Sequence, residues 1–105
     1  MSRRGRLPSV LGMAHTRETY LVEQYQPGLE LDELERLAAR VRLAVDGLEH
    51  TGKPIHFVRS TIVPADEAVL CIVEALSEEL VREAYARAGF PIERISSAID
   101  QGDRP

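Results

Sequence analysis

The side chains able to do chemistry are few in this 105-residue chain: one cysteine, three histidines and no tryptophan. Cys71 and His56 both fall in residues 54–75 (PIHFVRSTIVPADEAVLCIVEA), with Arg59 and Glu74 beside them. Cys71 carries the thiol of a nucleophile or a soft metal ligand. Leu70 and Ile72 flank it, however, and a buried free cysteine behaves as a small hydrophobe. His56 carries the imidazole of a metal ligand, yet no His-x-His or His-Glu-x-x-His spacing supplies a second one. The competing reading is a histidine at the end of a strand. His50 falls late in a helical pattern, where a cation is favourable. The seven glycines form no phosphate-cradling loop, Ser96-Ser97 has no base beside it, and the sequence holds no catalytic motif.

These groups must be positioned by the elements around them. Residues 17–25 (RETYLVEQY) are rich in Tyr, Leu and Val and read as a first strand. Gln26-Pro27-Gly28 ends it. Leu31, Leu34, Leu37, Val41, Val45 and Leu48 recur at spacings of three and four, which puts them on one face of a helix over residues 31–48. Asp32 and Glu35 have capping-box spacing. Residues 55–63 and 68–75 are strands joined in a hairpin by residues 64–67. Ser77 is the expected cap of a second helix, with Leu76 and Val81 as its staple and Leu80, Val81, Ala84 and Ala88 as its stripe. Gly89 and Pro91 stop that helix. Residues 92–99 alternate apolar and polar, as a fourth strand does.

The order β-α-β-β-α-β is the ferredoxin-like pattern, an α+β sandwich with a four-stranded antiparallel sheet and two helices on one face. Residues 17–100 make this single domain. Residues 1–16 form a flexible basic arm and residues 101–105 a polar tail. The uncovered sheet face, if apolar, needs a cover, and a second subunit supplies one.

Counting back from the hairpin turn sets Ser60 opposite Cys71, Phe57 opposite Glu74 and His56 opposite Ala75. That register sends His56, Val58, Ser60, Ile62, Val69, Cys71 and Val73 toward the helices. It leaves Phe57, Arg59, Thr61, Leu70, Ile72 and Glu74 on the open face, and a slip of one residue would exchange the two faces. Leu21, Glu23 and Tyr25 of the neighbouring first strand join the open set. The expected ligand or dimer face is therefore Glu23, Tyr25, Phe57, Arg59 and Glu74. Its carboxylates suit a ligand site or a general acid or base if their pKa values are raised. The favoured reading is ion pairs inside a dimer interface, because charged residues on such a face need partners.

Composition bounds the remaining possibilities. At 44% hydrophobic and 29% charged the chain has a globular composition. Arg3, Arg4, Arg6 and Arg17 precede the first acid. From Glu18 onward nine basic residues stand against seventeen acidic ones, a balance of −8. Such a body argues against nucleic-acid binding, which needs phosphate-neutralising cations. No stretch approaches the roughly 18 apolar residues of a membrane span. One cysteine cannot make an internal disulfide, which fits a reducing, cytoplasmic compartment.

Residues 20–29 (YLVEQYQPGL), the long helix, residues 69–75 (VLCIVEA) and residues 81–95 (VREAYARAGFPIERI) carry a family likeness. Over about residues 18–99 the chain resembles the DUF4242 family of small ferredoxin-like proteins, and is similar to its actinobacterial nickel-binding members. The resemblance implies a homodimer packed through the open sheet faces and nickel as the ion. Glu23, Cys71 and Glu74 match its pattern, and with His56 they make the expected metal set. A histidine is expected within the second helix as Arg-Glu-His, where this chain has Arg82-Glu83-Ala84. The reading is a binding module rather than an enzyme. The alternatives are a dimeric α/β-barrel protein that binds or oxidises a small organic molecule, and a structural or regulatory partner-binding domain.

Overall fold

A computed structural model describes residues 17–99 of the chain. The basic arm and the polar tail lie outside the described residues. Strand β1 (Glu18–Tyr25) leads into helix α1 (Leu31–His50), then β2 (Ile55–Val63), β3 (Ala68–Ala75), α2 (Glu78–Ala88) and β4 (Arg94–Ala98). All pairings are antiparallel and the sheet order is β2-β3-β1-β4. This is the ferredoxin-like α+β fold expected from the element order.

Burial explains why each element forms. Leu34, Leu37, Ala38, Val41, Val45 and Leu48 face the sheet from α1, while Leu31 stays half exposed. The α1 capping box is two residues earlier than Asp32 and Glu35. Glu33 accepts from the Glu30 N–H at 3.0 Å, because the turn after Pro27 closes by Leu29 and the helix begins immediately. Ser77 caps α2 as expected, its Oγ accepting from the Leu80 N–H at 3.3 Å. Val81, Ala84, Tyr85 and Ala88 are buried along α2, Leu80 is only partly so, and Leu76 is exposed rather than stapled. Gly89 ends the helix at φ +82°, a left-handed conformation that favours glycine.

The β2–β3 hairpin holds one departure from simple counting. Val63 faces Ala68 and Ser60 faces Cys71, but the ladder then shifts at Val58. Beyond it Phe57 faces Val73 and His56 faces Glu74. A bulge adds one residue to one strand, and in a period-two structure one residue reverses the faces. The expected placements of Phe57 and His56 are therefore corrected. Phe57 is buried under the helices, at 8% exposure, and His56 lies on the open side. The assignments of Arg59, Ser60, Thr61 and Ile62 on β2 and of residues 69–74 on β3 hold, while Val58 is the bulged residue and has no ladder partner.

Candidate functional site: the open sheet face

Alternation along each strand builds the face that the helices leave uncovered. Three cross-sheet rows carry its chemistry. His56, Glu74 and Thr19 make the first, Arg59, Ile72, Leu21 and Ser96 the second, and Thr61, Leu70, Glu23 and Arg94 the third. Leu21, Leu70 and Ile72 give the face an apolar centre that one chain only half buries.

Glu23 is held on two sides. The Tyr25 hydroxyl donates to its Oε1 at 2.8 Å, and the Arg94 guanidinium lies 3.7 Å from its Oε2. Its side chain is 15% exposed, so the ion pair is partly shielded. The hydrogen bond to Glu23, and then the carboxylate's charge, raise the Tyr25 pKa. Glu74 shares the open face but pairs with Thr19, whereas Glu23 pairs with Leu70. Four positions on β3 separate them, about 13 Å at the usual rise per residue. The two carboxylates therefore do not meet. Arg59 faces Ile72, between the two acidic regions.

Cys71 occupies the opposite side of the sheet and is fully buried. Loss of hydration raises its pKa, and does the same to Tyr85 beside it on α2. The two groups interact without an aligned hydrogen bond, and among the described residues the Tyr85 hydroxyl has no hydrogen-bond partner. Gln24 is a further buried polar side chain among the described residues. It donates from Nε2 to the Pro91 carbonyl at 3.1 Å, and its Oε1 has no partner among the described residues.

His56 lies at the corner where β2 begins. Its Nδ1 is 3.2 Å from both carboxylate oxygens of Glu49, in the last turn of α1. Among the described residues no group of three or more His, Cys, Asp or Glu side chains is gathered as a metal cage. The expected set of Glu23, Glu74, His56 and Cys71 is thus spread over both sides of the sheet. Sequence reasoning missed Glu49, Arg94 and Tyr85. Tyr85 carried a signal, four residues after Val81 on the buried stripe. Glu49 carried none, because a turn brings it to His56. Open grooves flank α1. One of about 450 Å3 lies against Phe57 and Ser60, and one of about 410 Å3 lies against Arg87 and Ala88.

Residues 20–97 match the family model described as nickel responsive protein SCO4226-like. The chain belongs to this family. It is also similar to the crystal structure of SCO4226 from Streptomyces coelicolor A3(2), at 25% identity and a TM-score of 0.62. That likeness covers 80% of this chain and 99% of the other. No curated protein matches the chain. No helix among the described residues is long and apolar enough to cross a membrane.

Proposed function

We propose that this family member is a divalent-metal-binding protein that takes nickel and works as a homodimer. The observation that carries the reading is the family match over residues 20–97, whose description is nickel-responsive. The chemistry of the exposed donors supports it. Imidazole and carboxylate are donor types that nickel accepts, and His56 stands opposite Glu74 at one corner of the open face. Cys71 does not belong to the donor set. Ligation needs a thiolate, and burial keeps this thiol protonated. Bound nickel would bring a double positive charge to a body whose own balance is −8. The homodimer is supported by the apolar centre of the open face, which a second copy would cover.

A thermal-shift titration of tag-free protein with nickel, zinc, cobalt and copper tests the metal reading. Nickel at a hundredfold excess over its Kd adds about 2.7 kcal/mol. For a domain of this size that raises Tm by roughly ten degrees or more. A chelator returns the melting point to its starting value. Absence of a shift with all four ions overturns the reading.

A further inference from the structure

We infer that the recess between the second half of α1 and the end of α2 binds a small organic monoanion, a carboxylate carried on an apolar body. This site is independent of the metal reading. The observation that carries it is the uncompensated charge of Arg40. Five arginines lie on the two helices. Four of them pair with an acid one turn away: Arg36 with Asp32, Arg42 with Asp46, Arg82 with Glu78 and Arg87 with Glu83. Arg40 has Arg36 and Ala44 at those positions, and among the described residues no carboxylate pairs with it. Its Nη2 donates instead to the Ala88 carbonyl at 2.8 Å, and its guanidinium carbon lies 4.6 Å from the centre of the Phe90 ring. A carbonyl and a ring hold the guanidinium in place but offset only part of its charge. One N–H is used, and the other donors of the planar fork suit a carboxylate.

The recess supplies the rest of the ligand's surroundings. It holds about 410 Å3, within the range of small-molecule sites, and is lined by Arg40, Leu43, Ala44, Gly47, Arg87 and Ala88. Leu43 is 70% exposed, so its apolar surface is available to a ligand. Gly47 keeps the space open. Its backbone is helical, with no positive φ that would call for glycine. A β-carbon there would meet nothing within 4 Å, so packing inside the chain does not call for glycine either. Glycine is a poor helix former, and the opening is therefore kept at a cost to α1. The body from Glu18 onward carries a balance of −8, but at physiological salt the screening length is about 8 Å, so the nearest charges decide binding. A simple tether between the helices would need the Ala88 hydrogen bond alone. It would call neither for a charge without an acid nor for a glycine beside an open recess.

Amide-shift titrations of the full, tag-free chain with naphthoate and with octanoate test the site, beside naphthamide as an uncharged counterpart. The expected result is saturable shifts centred on residues 40–47 and 87–90 for both acids, with the amide roughly tenfold weaker or worse. Arg40→Gln should weaken naphthoate by the same factor. Arg82→Gln, whose side chain does not line the recess, should leave it unchanged. Gly47→Leu removes no contact and fills the space, so it should abolish binding while Tm holds or rises. That variant keeps the test decisive should Arg40→Gln fail to fold. No saturable shift with either acid at millimolar concentration overturns the site, as do shifts centred elsewhere or an amide that binds as tightly as the acid. An Arg40→Gln protein that melts earlier yet keeps its naphthoate affinity also overturns it, and makes Arg40 a tether only.

Discussion

At the scale of single residues, the buried pair of Cys71 and Tyr85 makes the fold sensitive to base. Removal from water raises the pKa of both groups. In the unfolded chain the thiol ionises near its ordinary value of 9.0 and the phenol near 10.0. In the folded chain both hold their protons longer. Their contribution to stability is therefore fully present below about pH 9 and is lost as pH rises toward the raised native values. Each group can remove at most about 1.4 kcal/mol per pH unit. Urea unfolding between pH 7.5 and 10.5 should show this decline, and Cys71→Ala should flatten its first part. An equal slope in the variant would show that the thiol plays no part. The cysteine's burial was legible from its apolar neighbours Leu70 and Ile72. Its contact with Tyr85 was not, because nothing local in the sequence relates β3 to α2.

At the scale of elements, the strands at residues 55–63 and 68–75 and the cap at Ser77 were legible because local signals specify them. Alternation marks the strands, and a hydroxyl before an amphipathic run marks the helix start. Replacing Ser77 with Ala should cost about 1 kcal/mol, measured by denaturation, since the Leu80 N–H loses its acceptor. The bulge at Val58 was not legible by counting from the turn, because a constant register assumes an unbroken ladder. A trace of it does exist in the sequence: Ile55 and Phe57 are in one phase, while Ile62 and the small Ser60 are in the other. Only a shift between them puts both apolar sets under the helices. Phe57→Ala tests that shift directly. A ring packed between sheet and helices should cost about 3–5 kcal/mol on truncation. A cost under 1 kcal/mol would return Phe57 to the open side and restore the unbroken register.

At the scale of the whole molecule, two helices on one side of a four-stranded sheet leave the other side uncovered, which follows from the element order alone. What the order could not supply was the arrangement of charge on that side. It depends on the β1–β3 register, which separates Glu23 from Glu74, leaves Leu21 and Ile72 between them and sets Leu70 beside Glu23. An apolar centre with charged flanks is the distribution expected of an interface core and rim. A standard interface removes about 800 Å2 from each partner, a patch that one face of such a sheet can provide. Ile72→Asp places a carboxylate in that centre. In a single chain the new side chain meets solvent, so the domain should keep its circular dichroism spectrum. In a face-to-face dimer two such charges are brought together near the symmetry axis, each with Arg59 as its cross-strand neighbour, and their desolvation and mutual repulsion should dissociate the complex. Light scattering after size exclusion should give a dimer for the unsubstituted chain at micromolar concentration and a monomer for Ile72→Asp. A dimer that survives the substitution would put the contact elsewhere, with the two edge strands, β2 and β4, the next surfaces to probe.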